Sequence, residues 1–422
     1  MNHFFSREHP FSIRYVFVIA VLLRLTMALA LHPDRYYFSD TRHYDRAAMN
    51  LLQEGELGEK YYRAPVYPVF LAAVYAILGH SFVAARLVEA VLGVLLCLIV
   101  YRLAAMLFGR RVAWWATLFS AVFPHFILLV GILYPTNLFS LLLLASLLLL
   151  WQGRSSGRTL TLLVSAVLAG LAGLTVASIF FIVPAWLLWL VWDKRAGSLR
   201  AAGLYVVVLV LVLSPWTMRN YAKYGRLTLV QPLPHTVLPN LQDRRAQEQE
   251  VAGGFKTTVT YFKEHPRGTE QDGLAATVMH YLHHPVGALR HLVSELGHFW
   301  ALYPDRLDTA RDSYRSTIHV RDQRMETGGS IWPYIKWPSI LVMAPIFACA
   351  LLGVATAWRR NKKAVSLMLL TIVSFAVGYA MIYAEVRYRI PIEPLLLVFT
   401  AVGWETILRR FGVVVGSPAP VD

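Results

Sequence analysis

Cysteine is almost missing from this 422-residue sequence, which holds two, Cys97 and Cys349, each inside an apolar run. Two such positions build neither a disulfide framework nor a zinc site, and they say nothing about redox compartment. Charge is scarce too, 15% of residues against 57% hydrophobic, and acids are scarcer still, 25 against 40 Lys and Arg. A soluble domain carries roughly a quarter of its residues charged. No glycine loop of the P-loop or dinucleotide-binding kind appears, nor a G-x-S-x-G nucleophile motif. Long segments alternating apolar with polar are absent, which argues against a sheet domain. There is no internal repeat, and the one low-complexity stretch is the tail "VGSPAPVD".

What the chain does have is apolar runs long enough to cross a bilayer. Ten spans of about twenty residues are expected, near 11–32, 83–108, 112–131, 137–152, 159–176, 178–192, 200–216, 337–357, 364–383 and 390–408. The first is read as a span, because no small-residue cleavage site follows it. Basic residues then set orientation. Arg7 and Arg14, Arg110 and Arg111, Arg154 and Arg158, Lys194, Arg195 and Arg200, Arg359 to Lys363, and Arg409 and Arg410 fall on one side. Under the positive-inside rule that side is cytoplasmic, with both termini. The net charge of +15 is largely this signal and not a nucleic-acid footprint. The stretch "RAPVYPVFLAAVYAILGH", residues 63–80, is too short and proline-rich to cross, and is placed as an interfacial or re-entrant helix on the outer face. Outer segments follow at 33–82 and 217–336. The chain divides into an N-terminal membrane module 1–216, a long outer loop 217–336 expected to form short helices around Pro285, and C-terminal spans 337–422.

Charges in or beside spans carry the functional information, since a bilayer makes them costly. Arg24 falls in the outer half of the first span, and Arg86 and Glu89 in the outer turns of the second. Arg63 lies in the first outer loop, Arg219 follows the seventh span, and Arg387 and Arg389 precede the tenth. Each has an ordinary alternative: Arg86 and Glu89 pair along their helix, Arg24 snorkels, Arg219 anchors beside Trp216. Taken together, several arginines at one level beside an acid suit a lipid-linked phosphate. Asp40, in "SDTRHYDRAAMNLL", is open to reading as a helix N-cap. Asp45 is expected on that helix's wet face and Tyr44 as an interfacial packing residue. His280, His283, His284, His291 and His298 have helical spacing but no acidic or Cys companion, and are read as surface or interface histidines rather than metal ligands.

Five segments occur in order: "SDTRHYDRAAMNLLQEGELG", "YRAPVYPVFLAAVYAILG", "AARLVEAVLGVLLCLIVYRLAAMLFGRR", "SPWTMRNYAKYGRLTLVQ" and "EVRYRIPIEPLLLV". Together they resemble the GT-C superfamily of integral membrane glycosyltransferases, in particular the branch of protein O-mannosyltransferases and the lipid A aminoarabinose transferase. The resemblance implies an all-α polytopic membrane protein of GT-C-like fold. It also implies transfer of a sugar from a polyprenyl phosphate to an acceptor hydroxyl on a lipid, glycan or protein, with inversion. Asp40 matches the family's catalytic base in the first outer loop. Arg63 matches "RPPGYP", Arg219 "PWTIRN", and Arg387 with Tyr388 "ERYRLP". Arg86, Arg389, Arg24, Tyr44, Tyr67 and Asn137 complete the expected donor and substrate contacts.

Two positions depart from the family pattern. Asn137 stands where an acid usually enters the fourth span, which puts any divalent metal in doubt. Val176 replaces a basic residue after the fifth. The expected setting is the inner (plasma) membrane with the site facing the periplasm or exterior. A transporter or flippase for a polyprenyl-linked substrate, or a non-catalytic scaffold, are the competing readings. The flippase is disfavoured because transporter sites lie near the midplane on broken, repeated helices.

Overall fold

The structure, a computed structural model, describes residues 12–34, 36, 40–58, 63–192, 197–225, 228–230, 282–283, 285–304 and 332–412. Helices account for nearly all of it: α1 (Ile13–Ala30), α2 (Thr41–Glu54), α3 (Val66–Leu78), α4 (Phe82–Phe108), α5 (Arg110–Val122), α6 (Pro124–Leu128), α7 (Thr136–Ser156), α8 (Thr159–Gly173), α9 (Val183–Trp192) and α10 (Ser198–Tyr224). After the long loop come α11 (Pro285–Phe299), α12 (Trp332–Arg360), α13 (Lys362–Ala380), α14 (Val386–Arg389) and α15 (Glu393–Arg410). A bilayer leaves backbone groups no water to bond, so apolar runs close their hydrogen bonds internally as helices.

Among the described residues seven helices are long and apolar enough to cross a membrane, or eight counting the pair Arg110–Val122 and Pro124–Gly131, which is bent by 54°. Each of the ten expected segments is helical. Two of them, Thr159–Gly173 and Ala177–Trp192, are shorter apolar helices. A straight fifteen-residue helix reaches about 22 Å, short of a hydrocarbon core of roughly 30 Å. The stretch expected to lie at the interface is α3, thirteen residues long.

The chain divides into two units. The first comprises Met1–Gln231, Pro345–Phe375 and Ile390–Asp422, and the second Pro232–Ala344 and Ala376–Arg389. In the first, α4 packs on α1, α5 and α7, α8 lies between α7 and α10, and α15 packs on α5. Contacts tie the helix ends into two levels. At one, Arg154 donates to Ser198, the Trp189 indole to the Lys363 carbonyl at 3.2 Å, and Arg360 meets Glu405 at 3.5 Å. This is the level of the basic loops. At the other, Arg86 bonds the end of α1, Val66 N–H donates to the Leu174 carbonyl at 2.9 Å, and Lys223 meets Glu56 at 3.1 Å. The candidate site lies at this second level.

In the second unit, Glu295 of α11 accepts from the Ala384 N–H at 2.8 Å, and Tyr379 stacks on Tyr388 with centroids 4.6 Å apart. On the C-terminal side of Pro285 the expected helix is present as α11. On the other side Leu282 and His283 are helical, and His280 and His284 lie outside the described residues.

Candidate active site

Asp40 occupies the N-cap position of α2 but its side chain makes no capping hydrogen bond. Its Oδ1 instead accepts from Arg63 Nη2 at 3.0 Å. Among the described residues Oδ2 carries no hydrogen bond, and the side chain is 29% exposed. The helix start is held by its neighbour: Thr41 Oγ1 donates to the Ile132 carbonyl at 2.6 Å. Ile132 precedes Leu133, buried with φ of 43°, a conformation costly for a branched residue and kept only where packing over-determines it. Asp40 is thus fixed by a tertiary bond next door, which leaves its own carboxylate for Arg63 and for solvent.

Arg63 also donates to the Tyr44 hydroxyl at 3.5 Å, its guanidinium lying 5.4 Å from that ring's centroid. Burial works to lower its pKa, but Tyr44 and the Asp40 carboxylate outweigh burial and raise it, so the group is a fixed cation. Tyr44 is a buried packing residue, edge-on to Tyr67 at 5.2 Å and to Tyr134 at 6.0 Å. Below it, Tyr67 donates to Glu89 Oε1 at 2.9 Å and Asn137 Nδ2 to Glu89 Oε2 at 2.7 Å. Burial, then the neighbouring Glu89, push the Tyr67 phenol well above its ordinary value, so it stays a neutral donor. Glu89 therefore bonds to Tyr67 and Asn137, while its neighbour Arg86 donates to the Leu31 and His32 carbonyls at 3.3 and 3.0 Å.

Asp45 corrects an expectation. It is buried, 7% exposed, and not on a wet face. It accepts from the Tyr36 hydroxyl at 2.8 Å, the Tyr75 hydroxyl at 2.9 Å and shares a 2.9 Å bond with His80 Nε2. Burial, then the bond to Asp45, push Tyr36 up to about 12, and burial with Asp45 raises Tyr75 likewise. Arg42 and Arg46 take the exposed side of the helix. Asp45 locks the site's floor together.

The remaining arginines differ in what they hold. Arg24 is buried and does not snorkel: it donates to the carbonyls of Ala20, Ala121 and Ser120 at 3.2, 3.0 and 3.1 Å. Gly93 makes room for it, since a Cβ there would lie 2.6 Å from its Nε. Arg219 donates to Asn220 Oδ1 at 3.1 Å and lies 4.5 Å from the Trp216 ring centroid. In the second unit, buried Arg389 donates to the carbonyls of Phe299 and Ala301 at 2.9 and 3.0 Å, closing the end of α11. Arg387 is exposed, paired with Glu385 at 2.7 Å and donating to the Tyr388 hydroxyl at 3.1 Å. Arg24, Arg86 and Arg389 thus spend guanidinium donors on backbone carbonyls.

No three or more His, Cys, Asp or Glu side chains among the described residues could jointly hold a metal ion. At Asp40 the carboxylate's partner is the Arg63 guanidinium, and Asn137 offers its amide as a donor to Glu89. His291 is buried rather than superficial. Sequence reasoning missed one pair altogether: His125 Nδ1 lies 2.8 Å from Glu393 Oε2. The available signal was an ionisable residue inside an apolar run.

Residues 62–218, less than half of the chain, match the family described as dolichyl-phosphate-mannose-protein mannosyltransferase. That segment includes Arg63, Tyr67, Glu89 and Asn137. No curated protein matches the chain in sequence. In structure, it is similar to the oligosaccharyltransferase of Archaeoglobus fulgidus in its apo form, at TM-score 0.59 and 15% identity over 95% of this chain and 51% of that one. The archaeal oligosaccharyltransferase AglB from Archaeoglobus fulgidus, in complex with an inhibitory peptide and a dolichol-phosphate, aligns at TM-score 0.58 and 15% identity, over 96% of this chain and 52% of that one. A looser likeness, TM-score 0.45 at 14% identity over 95% and 79%, links it to ArnT from Cupriavidus metallidurans bound to undecaprenyl phosphate. The chain spans about half the length of the oligosaccharyltransferase. Its helix order and motif order agree on one architecture, and the chain has the fold of the GT-C membrane glycosyltransferases.

Proposed function

We propose that the protein transfers a sugar from a polyprenyl phosphate to an acceptor hydroxyl, with Asp40 as general base. One observation carries this reading. Asp40 is held through a single oxygen by Arg63, and its other oxygen is open at the helix ends opposite the basic loops. A helix cap would turn its carboxylate onto backbone N–H groups, and this one does not. The dolichol-phosphate held by the similarly folded oligosaccharyltransferase supports a polyprenyl phosphate as donor class. The site would face the periplasm or exterior of the inner (plasma) membrane.

In this reading Asp40 Oδ2 takes the acceptor's proton as the acceptor oxygen bonds to the anomeric carbon. The bond from that carbon to the phosphate oxygen breaks, its electron pair leaving with the polyprenyl phosphate. Attack and departure on opposite faces invert the centre. Arg63 and Arg219 offer forked donors to the phosphate oxygens, stabilising charge as it develops. Tyr44 and the buried Tyr67–Glu89–Asn137 set hold Arg63 in register. No step needs a metal, since the leaving phosphate's charge is met by guanidinium.

The experiment is Asp40→Asn in purified protein. Asn keeps the shape and caps about as well as Asp. Turnover falls about a hundredfold or more while donor binding persists. An Asp40→Asn protein that turns over normally returns Asp40 to a structural role and favours a flippase or scaffold.

A further inference from the structure

The pair His125–Glu393 lies 268 residues apart in sequence and within the first unit. Glu393 opens α15 and is 1% exposed, whereas the His125 side chain is 28% exposed. The carboxylate takes Nδ1, and Nε2 carries no hydrogen bond among the described residues. A carboxylate on one ring nitrogen fixes the imidazole's orientation and leaves the other nitrogen facing outward, open to a further hydrogen bond.

Depth places this pair. Glu393 stands seventeen positions before Arg410 on α15, about 25 Å of helix from the basic end. Glu89 stands nineteen before Phe108 on α4, about 28 Å from the same end. His125 follows the bend after α5, and seven residues later Ile132 accepts the bond from Thr41, beside Asp40. Ionisable groups at such a level are costly unless they serve a ligand or each other.

We propose that His125, positioned by Glu393, is a further binding residue for the polyprenyl phosphate, its outward Nε2 sharing a hydrogen bond with a phosphate oxygen. This rests on the donor class proposed above. The recognised chemistry is an anionic phosphate held at membrane depth. The ordering is specific: His125 touches phosphate, Glu393 acts only through His125.

The test is binding of a short-chain polyprenyl phosphate to purified protein, followed by 31P chemical shift and by titration. His125→Gln weakens binding about tenfold and moves the bound 31P resonance. Glu393→Gln weakens it similarly, and the double variant is no worse than either single one. Glu393→Asp restores part of the affinity. Inorganic phosphate at the same concentration does not compete; competition by it would mean a free-phosphate site and overturn the lipid assignment. Folded His125→Gln protein binding like wild type, with an unmoved 31P signal, overturns the proposal. Equal losses of thermal stability with unchanged affinity make the pair a helix clamp, which also overturns it. Failure of the wild-type protein to bind polyprenyl phosphate at all would instead sink the donor reading.

Discussion

Asp40 and Asp45 sit five residues apart on one amphipathic segment, and their environments have opposite character. One carboxylate is a third exposed with an open oxygen, the other is buried under three donors. Their substitution by Asn separates chemistry from architecture. Tyr75 and His80 share Oδ1, so an Asn that keeps its oxygen there turns its N–H₂ toward the Tyr36 hydroxyl, which donates in the native structure, and loss of that bond costs about 1–3 kcal/mol. Thermal unfolding in detergent drops for Asp45→Asn and stays near wild type for Asp40→Asn. An unchanged midpoint for Asp45→Asn would mean the three bonds are dispensable. Asp40 stands out in the sequence because it adjoins a span end and matches the base of the family it resembles; residue type alone reads it as a helix cap. Asp45 was misjudged because Arg42 and Arg46 mark its helix as wet, while the residues that bury it, Tyr75 and His80, arrive thirty or more positions later. Glu393 and His125 were hidden for the same reason.

Elements were more legible than contacts, because crossing a bilayer is a property of one run of residues. All ten expected segments are helices. The bend after α5 has a local cause that composition alone does not report. Phe123 precedes Pro124 and is pushed to ψ of 122°, out of the helical region. Hydropathy sees one run across 112–131; the chain makes two helices there. Packing between helices is less visible still. A Cβ on Gly403 would lie 2.0 Å from the Cys349 carbonyl oxygen, and one on Gly353 1.8 Å from that of Phe399. These glycines let α12 and α15 approach backbone to backbone, the small-residue packing that membrane helices use where lipid offers no hydrophobic drive. Gly403→Ala should force the helices apart and cost about 1–3 kcal/mol. Gly203→Ala in α10, where a Cβ meets nothing within 4 Å, is the control and should be neutral or slightly stabilising. Equal midpoints for the two variants would show that α12 and α15 yield without strain.

At the scale of the whole molecule, charge and chemistry occupy opposite ends of the first unit. Basic residues gather where α7 meets α10 and α12 meets α15. Asp40, Asp45, Glu89 and Glu393 gather at the other end, while Glu405 stays at the basic end with Arg360 and Arg409. Under the positive-inside rule, the proposed function puts the basic end in the cytoplasm and the reaction at the outer surface. A polyprenyl phosphate suits that assignment, since its tail stays in the bilayer while its charged head waits at the far boundary, where no nucleotide sugar is supplied. The prediction is tested in a background with Cys97 and Cys349 replaced. A cysteine at position 60 should react with an impermeant maleimide in intact cells. One at 361, between α12 and α13, should react only after permeabilisation. Labelling at 361 from outside would invert the molecule and put Asp40 among cytoplasmic substrates. Labelling at 60 only after permeabilisation, with 361 unchanged, would mean that 63–80 crosses. The acceptor would then have to reach Asp40 from inside, and the outer-face mechanism would fall with the topology.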